Sequence, residues 1–538
     1  MEHLPPPLAP GGSVPAITVL DSGLTAGHPL IGPAVGDAQG FVFPNREPGD
    51  QVPSGHGTFV AGLALYGDVE DSIRRGHFVP TLRLLSGKVF NDDGTDQTEF
   101  VERSVEEAVR YFLEHYGCRV FNLSYGDSNK VYDGRHLRGL AYTLDRLSRT
   151  LNVLFVTASG NRALNTLPKR PRERYPEYQF EPDGRLLDPG TALNAVTVGG
   201  LSRYIATRDA QRHPNHLEDV PVAQIDQPSP ITRCGPSIGG AIKPDFVEHA
   251  GNVAVDRLGR PRMGGLGVLS LNSGFAAGHP FCEDVGTSHA APVVAHKAAR
   301  LLGELPDASP NLLRALLGAH ASWPDACAEL LDQHRNQEGR VRLLRAIGYG
   351  RIREEALYRS LDHTVTLVAE ETIEADRHHF FEIPVPAAWW DGDRRRRVVS
   401  VALAYAPEVR TTRLDYRATR IRFSFVNANG LDDVTAAFRR DPENGIAERS
   451  TNRWISSDKR SCGTLQVSRW RFGDSITRNR LFVVVTRQDA PWSPVADQAE
   501  SYALCVVLED REKAEAEARL YAEVRAVLQA RARVRIKV

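Results

Sequence analysis

Four short segments carry side chains suited to nucleophilic catalysis, in the order Asp21, His56, Asn161, Ser288. They read VLDSG at 19–23, GHGTFVAG at 55–62, TASGN at 157–161 and GTSHAAP at 286–292. A serine hydroxyl is a poor nucleophile at neutral pH and needs a base within hydrogen-bond reach. A histidine, with an ordinary pKa of about 6.5, can take that proton and return it, and a buried carboxylate can fix its tautomer. These types predict Ser288 as nucleophile, His56 as general base and then acid, and Asp21 as the group that orients His56.

Each segment taken alone also has a structural explanation. An aspartate at a strand end often caps a helix, and a serine before a helix is often its N-cap. A histidine in a glycine-flanked turn is often structural. Asn161 follows Gly160, where asparagine tolerates a left-handed turn; its other role would be to donate its side-chain N–H to an oxyanion, beside the backbone N–H of Ser288. The presence of all four segments in one chain favours the catalytic interpretation.

The elements that would position these residues alternate between strand and helix from 15 to 350. The predicted strands are continuous apolar runs, typical of a parallel sheet buried on both faces. They cover 16–20, 82–89, 120–124, 153–158 and 196–198. Residues 290–302 favour a helix, which would place Ser288 at a helix N-terminus, where the dipole and free N–H groups favour developing negative charge. The pattern predicts an α/β domain with a mainly parallel sheet.

The pattern changes near residue 350. Strand-like runs separated by turns predict an all-β, sandwich-like domain over 351–510. They cover 363–368, 380–383, 398–404, 420–425, 481–485 and 502–508. Residues 1–14 form a Pro-rich arm, and 511–538 are expected to form an amphipathic helix followed by a basic, alternating strand.

The composition excludes several classes of protein. Lys and Arg number 66 against 67 Asp and Glu, so the net charge of −1 gives no global attraction to nucleic acid or anionic membranes. No apolar run approaches the roughly 18 residues of a membrane span, and no signal peptide is visible. Six scattered cysteines without a CxxC pair indicate neither a disulfide scaffold nor a zinc site. We expect a cytoplasmic protein with no nucleic-acid or membrane partner. The basic stretches at 394–397 and 531–537 are either solvated edges or local sites that bind phosphate or nucleic acid, and the sequence favours solvated edges.

Six ordered stretches resemble the subtilisin-like serine peptidases, the subtilases. They read VLDSGLTAGHPL, GHGTFVAGL, NLSYG, VTASGN, IKPDFVEHAG and GTSHAAP, and the resemblance covers 15–350. It implies a subtilisin-like three-layer domain and a serine endopeptidase that hydrolyses peptide bonds through an acyl-enzyme. Asp21, His56 and Ser288 would then form the triad, and Asn161 would be the oxyanion donor.

The resemblance also implies a substrate-binding set. Leu123, Ser124, Tyr125 and Gly126 would pair with an extended polypeptide and wall the first specificity pocket. The other substrate-binding residues would be Ala158, Ser159 and Gly160. Tyr125 either rims this pocket or packs outside it.

Two features depart from the family pattern. The residue after the nucleophile is His289, where many subtilases have a methionine, and the chain holds only Met1 and Met263. We therefore expect activity to survive mild peroxide, while His289 either titrates near neutral pH or is structural. The separation between Asn161 and Ser288 is long. We expect the extra residues to form surface loops at 162–190 and 201–230, which restrict access, dock a partner or have no function.

No organic cofactor is implied. The acidic segment at 91–96 is interpreted as a turn rather than a metal site, because it lacks EF-hand spacing. Many subtilases bind calcium, so structural calcium is possible, but no ligand set transfers to this chain and no metal residue is assigned.

The sequence predicts an intracellular, regulated serine endopeptidase that acts on polypeptides. Asp21 lies so early that no long prodomain is expected before it, and the LPPPL stretch at 4–8 is predicted to lie across the cleft and hold the enzyme latent. The alternative is a latent effector or binding subunit whose protease activity requires a regulatory partner or signal. A lipase or esterase is disfavoured, because no GxSxG motif surrounds Ser288. The 351–538 region would brace the catalytic domain, recognise a substrate or partner, or carry an activation signal.

Overall fold

The computed structural model describes residues 7–12, 14–50, 54–91, 101–212, 219–390, 397–413, 415–443, 445–472, 480–510 and 520–525. The chain divides into two compact units, Met1–Pro310 with Ala321–Ile352, and Asn311–His320 with Arg353–Val538. Residues 311–320, which the sequence pattern places with the α/β domain, thus belong to the second unit. The predicted LPPPL contact and the terminal strand lie outside the described residues, apart from Pro7 and the exposed Leu8. Of the predicted 511–530 helix, 520–525 are described, and they are helical.

A seven-stranded parallel sheet forms the centre of the first unit. Its strands are β1 (Ala16–Asp21), β2 (Val35–Gly40), β3 (Arg83–Lys88), β4 (Val120–Leu123), β5 (Leu154–Ala158), β6 (Val196–Leu201) and β7 (Phe246–His249), in the order β7-β6-β5-β4-β1-β3-β2. The predicted α/β fold with a parallel sheet is confirmed. The two edge strands were not predicted, because β2 reads VGDAQG and β7 reads FVEH, and neither is a continuous apolar run.

Helices cover both faces of this sheet. Val101–Tyr116 and Gly139–Thr150 bury Val105, Phe112 and Leu144 in a core with Phe121 and Phe155 from the strands. The helices His56–Tyr66 and Thr287–Glu304 pack on each other and on the sheet. None of the helices in the described part of the chain combines the length and apolarity needed to span a bilayer.

Shorter elements complete the first unit. Its other helices are Val69–Arg75, Pro171–Arg174, Arg208–Arg212, Asp325–Leu331 and Gln337–Ile347. Its small antiparallel ladders join Asp127–Val131 with Leu187–Asp188, Val268–Leu271 with Phe281–Asp284, Ala321–Ser322 with Arg351–Ile352, and Ala254–Val255 with both Val220–Pro221 and Pro261–Arg262.

The second unit consists of two antiparallel sheets. Its strands are β8 (Thr364–Ile373), β9 (His378–Ile383), β10 (Arg397–Tyr405), β11 (Thr419–Ala428), β12 (Leu465–Phe472), β13 (Arg480–Asp489) and β14 (Glu500–Asp510). One sheet has the order β8-β14-β10-β12 and the other β9-β13-β11, around a core that includes Trp389, Phe425 and Trp470. The predicted β-rich character of this region is confirmed, although helices Leu431–Arg440 and Ser457–Arg460 and strand β12 were not predicted.

The helix Pro310–Ala319 explains why residues 311–320 belong to the second unit. Its Arg314 is buried and donates to the carbonyl oxygen of Tyr405 at 3.0 Å and to the Thr464 hydroxyl at 2.6 Å. A buried guanidinium is stable only where its hydrogen bonds are made, so these contacts fix the helix to the second unit.

Candidate active site

The carboxyl ends of three parallel strands bring the predicted residues to one edge of the sheet. β1 ends at Asp21, β4 ends just before Ser124, and β5 ends just before the segment 159–161. Strands β1, β4 and β5 are neighbours in the sheet, so these groups lie side by side. Open parallel sheets place their functional residues at this edge.

Asp21 and His56 form a close hydrogen bond, with 2.7 Å between Asp21 Oδ1 and His56 Nδ1. Asp21 is fully buried, whereas the His56 side chain is 19% exposed. A carboxylate oxygen accepts hydrogen bonds, so this contact assigns a proton to Nδ1 and, in the neutral imidazole, leaves the lone pair on Nε2. This is the tautomer that a general base for a serine hydroxyl needs.

A second carboxylate, Asp50, fixes the start of the His56 helix. Its Oδ2 accepts from the backbone N–H of Thr58 at 2.9 Å and from the Thr58 hydroxyl at 2.7 Å. Its Oδ1 lies 3.3 Å from the Ser22 hydroxyl, which is also 3.3 Å from Asp21 Oδ1. Burial raises the pKa of Asp50. Asp50 was not predicted, because it lies far from Asp21 in sequence and approaches it only in the folded chain.

The glycines that flank His56 are required by the protein's own packing. A Cβ on Gly55 would lie 2.1 Å from the Ser273 hydroxyl oxygen, and one on Gly57 would lie 2.1 Å from the carbonyl oxygen of Gly23. Gly55 also has φ +60°, in the left-handed region that favours glycine. Close approach therefore explains both glycines without invoking a substrate.

Ser288 is the second residue of the helix Thr287–Glu304. Its backbone and hydroxyl both meet the segment after β4: the Ser124 hydroxyl donates to the carbonyl oxygen of Ser288 at 2.8 Å, and the Ser288 hydroxyl lies 3.4 Å from the carbonyl oxygen of Ser124. Asn122 donates to the Ser124 hydroxyl at 3.0 Å. The helix that carries Ser288 packs against the helix that carries His56.

The Asn161 side-chain amide is held in one orientation. Its Oδ1 accepts from the backbone N–H of Thr287 at 2.8 Å and from the Thr287 hydroxyl at 2.9 Å. Because a backbone N–H can only donate, these contacts identify Oδ1 as the acceptor and leave the Nδ2 hydrogens for another group. Nδ2 lies 3.3 Å from the position that a Cβ on Gly286 would occupy. The amide thus points its N–H donors toward the start of the Ser288 helix.

His289, the residue that follows Ser288, is buried. Its ring centroid is 4.4 Å from that of Phe59, and its Nε2 lies 3.1 Å from Asp284 Oδ2. Burial lowers the pKa of His289, although Asp284 opposes this effect. The neutral imidazole therefore donates from Nε2 to the carboxylate.

The predicted substrate-binding residues separate into two groups. Leu123, Ala158 and Ser159 are buried, and Leu123 belongs to the hydrophobic core. Tyr125 packs against the same core, with its ring centroid 5.1 Å from that of Phe90, so it lies on the core side of its segment. Within this set, the Ser124 carbonyl oxygen lies 3.4 Å from the Ser288 hydroxyl, Gly160 directly precedes Asn161 in the chain, and Gly126 is exposed.

Leu187 is a residue of this site that the sequence did not reveal. It is 3% exposed and touches both glycines: a Cβ on Gly160 would lie 2.6 Å from Leu187 Cγ, and one on Gly126 would lie 3.3 Å from Leu187 Cδ1. It lies in a stretch expected to be a solvated loop, but Tyr178, Gln179 and Asp188 there are also buried. The LL pair at 186–187 was the available signal, since two adjacent leucines are unusual for a solvated loop.

No group of three or more His, Cys, Asp or Glu side chains in the described ranges is placed to hold a metal ion. Asn91 is the one residue of the acidic 91–96 segment that the structure describes. The calcium question at that segment therefore lies outside the described residues.

One protein-family model and two known proteins match this chain in sequence. The subtilase family model matches residues 12–350. An uncharacterized protein, y4bN, of Sinorhizobium fredii is 32% identical over 441 residues, which are 78% of this chain and 98% of that protein. The serine protease AprX of Bacillus subtilis is 24% identical, over 57% of this chain and 62% of its own length.

Solved structures with similarity to the chain include two proteases. The patellamide maturation protease PatA is 20% identical, with a TM-score of 0.39 over 64% of this chain and 95% of that one. MycP1 without its propeptide is 20% identical, with a TM-score of 0.38 over 65% of this chain and 92% of that one. The family match spans more than half of the chain and includes all four segments that carry the candidate catalytic residues. The chain therefore belongs to the subtilase family of serine proteases, which act on polypeptides.

Proposed function

We propose that the chain is an endopeptidase in which Asp21, His56 and Ser288 form the catalytic triad. The observation that carries this proposal is the 2.7 Å bond from His56 Nδ1 to the fully buried Asp21. That bond leaves Nε2 as the base, and the helix that carries His56 packs against the helix whose second residue is Ser288. The order of these residues along the chain also matches the subtilase pattern.

The reaction follows from these positions. His56 Nε2 takes the hydroxyl proton of Ser288 as Oγ bonds to the peptide carbonyl carbon. The resulting oxyanion receives hydrogen bonds from Asn161 Nδ2 and from the backbone N–H of Ser288, at a helix N-terminus. The imidazolium then gives its proton to the leaving amine as the C–N bond breaks. Water repeats the sequence on the acyl-enzyme and releases the second peptide.

The substrate is an extended polypeptide, and the backbone near Ser124 is the surface that it would pair with. Backbone pairing gives affinity with little demand on side chains, so the side-chain pocket decides where the chain is cut. The proposed steps need no organic cofactor.

A fluorophosphonate probe tests the assignment of the nucleophile. We expect it to label the wild type and the Ser450→Ala control, whose exposed serine lies in the second unit, and not Ser288→Ala. Labelling that persists in Ser288→Ala would assign the nucleophile to another residue. A folded wild type that neither reacts with the probe nor cleaves casein would contradict the proposed activity.

A further inference from the structure

The guanidinium of Arg233 lies against the backbone of the proposed oxyanion donor. Arg233 is 7% exposed, and its Nε donates to the carbonyl oxygen of Asn161 at 2.9 Å. Its Nη1 donates to the carbonyl oxygens of Asp183 and Arg185, both at 2.8 Å. A guanidinium is planar and presents its donors in a fixed arrangement, so Arg233 holds these three carbonyl groups in a fixed relation to one another.

The segment that carries Asn161 pairs with the segment that carries Arg233. An antiparallel bridge joins Asn161 and Thr232, and the Arg162 N–H donates to the Ile231 carbonyl oxygen at 2.8 Å. Within the described part of the chain, Arg233 is the only group that donates to the Asn161 carbonyl oxygen. The guanidinium therefore fixes the direction of the peptide group that follows the Asn161 side chain.

The segment 183–185, which supplies the other two acceptors of Arg233, is also fixed by backbone hydrogen bonds. The Cys234 N–H donates to the Gly184 carbonyl oxygen at 2.9 Å, and a parallel bridge joins Cys234 and Arg185. This segment lies in the stretch expected to be a surface loop. One buried side chain thus connects the backbone of Asn161 to a segment that is itself paired.

The Asn161 side chain is held separately, by Thr287. Its Oδ1 accepts from the Thr287 N–H at 2.8 Å and from the Thr287 hydroxyl at 2.9 Å. Thr287 therefore holds the side-chain oxygen of Asn161, and Arg233 holds its main-chain oxygen. Together these contacts set the direction of Nδ2, and an oxyanion donor contributes fully only when that direction is fixed before the reaction begins.

We propose that Arg233 is a positioning residue that holds Asn161 in place as the oxyanion donor. This inference rests on the proposed endopeptidase function. Arg233 is buried and its guanidinium donates to backbone carbonyl oxygens, so it acts through Asn161 and does not touch the substrate. Loss of the guanidinium would leave the Asn161 carbonyl without its donor and let that backbone shift. A misplacement of about 1 Å near a reacting centre lowers the rate roughly 10²-fold.

The kinetics of Arg233→Met in two backgrounds test this inference. The substrate is a fluorogenic peptide copied from a site that the wild type cuts in casein. In the wild-type background we expect kcat to fall about 10- to 100-fold, with KM nearly unchanged. In the Asn161→Ala background the same substitution should change kcat by less than about twofold, because the donor that Arg233 positions is already absent.

Arg233→Lys keeps the positive charge but lacks the planar fork of donors. It should give an intermediate loss of kcat, and it serves as the test if Arg233→Met does not fold. If the wild type is labelled by the fluorophosphonate probe at Ser288 but leaves casein intact, the rate of labelling replaces kcat in the same comparison.

Arg345→Met is the matched control, because Arg345 is another arginine of the first unit that joins two backbone segments. Its Nε donates to the carbonyl oxygen of Gly235 at 2.8 Å and its Nη2 to that of Phe180 at 3.2 Å. Arg345→Met should lower the melting temperature, as Arg233→Met does, without lowering kcat.

Four results would overturn the inference: unchanged kcat in the folded Arg233 variants, an effect on KM alone, an equal loss of kcat in the two backgrounds, or the same loss of kcat in Arg345→Met. A folded wild type that fails with the probe and with casein overturns the proposed function itself.

Discussion

The imidazole rings of His56 and His289 lie next to each other, with centroids 6.0 Å apart and planes inclined by 46°. His289 directly follows Ser288 and is 1% exposed, so a second, buried imidazole lies beside the proposed base. Burial raises the pKa of its partner Asp284, but the hydrogen bonds that Asp284 accepts from His289 and from the backbone N–H of Val285 act in the other direction, and the net effect is a lowered pKa of Asp284. The site thus contains two carboxylate–imidazole pairs, Asp21–His56 and Asp284–His289.

Resistance to peroxide should follow from His289. Subtilases with methionine at this position lose activity when its thioether is oxidised, and an imidazole lacks that reaction. Burial also raises the pKa of five of the six thiols, which keeps them protonated and slow to react; these are Cys118, Cys234, Cys282, Cys327 and Cys505. We expect wild type to keep its activity in mild peroxide and His289→Met to lose it. Rapid inactivation of wild type with all thiols intact would show that another group is the sensitive one.

Two substitutions of Asn161 should separate its donor from its acceptor. Asn161→Asp keeps an oxygen for the Thr287 N–H but removes the Nδ2 donor, whereas Asn161→Ala removes both. Loss of one oxyanion donor costs about 10²–10³ in kcat. We expect at least this loss in both variants, with KM nearly unchanged and only Asn161→Ala reduced in melting temperature. Normal kcat in Asn161→Asp would mean that the amide only tethers the Ser288 helix.

Removing the charge of Asp21 should leave the fold intact and nearly abolish activity. Asp21→Asn can donate to His56 Nδ1, which would move the proton to Nε2 and remove the base. Such a change of tautomer lowers kcat by about 10⁴. Single-turnover kinetics with a peptide ester would measure this loss, with Asp37→Asn as the control, since Asp37 lies on the edge strand β2. Equal activity of the two variants would contradict the assigned role of Asp21.

The buried pair of Glu248 and Lys297 should matter far more for stability than an exposed pair. Both side chains are 3% exposed and their charged atoms are 2.8 Å apart, and Arg351 Nε lies 2.7 Å from the same carboxylate. Glu248→Gln removes the carboxylate that neutralises the buried Lys297 ammonium. We expect it to lower the free energy of unfolding by about 3–5 kcal/mol.

Glu107→Gln is the control, because its partner Arg103 is 79% exposed and such pairs contribute about 0.3–0.5 kcal/mol. Urea titrations of both variants measure the difference. Adding Lys297→Met to Glu248→Gln should recover stability. Equal losses in the two single variants would show that the buried pair contributes no more to stability than the exposed pair.

His320 should make the second unit less stable in acid. Burial, aided by Arg353 and Arg469, lowers the pKa of His320 to about 4 from its ordinary 6.5. The unfolded chain therefore binds this proton first, so the stability it contributes is complete above about pH 6.5 and is lost as the pH falls toward 4. Between pH 7.5 and 4.5, wild type should lose about 2–3 kcal/mol more than His320→Gln. Urea unfolding curves at the two pH values test this, and parallel losses would contradict the shift.

Much of the first unit could be predicted from sequence because its signals are local. Buried parallel strands read as continuous apolar runs, and each proposed catalytic side chain lies within a short segment at a strand end or helix start. The family and the α/β fold are confirmed, while the catalytic roles stay predictions. Asp50 and Leu187 were missed because their roles arise only from tertiary contacts. Residues of ordinary type acquire such roles through neighbours distant in sequence, and no periodicity marks them.

The placement of residues 311–320 has a consequence for how this chain can be divided. Because the first unit resumes at Ala321, the path leaves one unit, supplies a helix to the other and then returns. A truncation at 350 would keep that helix but remove Tyr405 and Thr464, the partners of its buried Arg314. The two units can therefore be separated only by cutting the chain at three places. A recombination event that exchanged the second unit as one contiguous piece would separate the Arg314 guanidinium from these two acceptors.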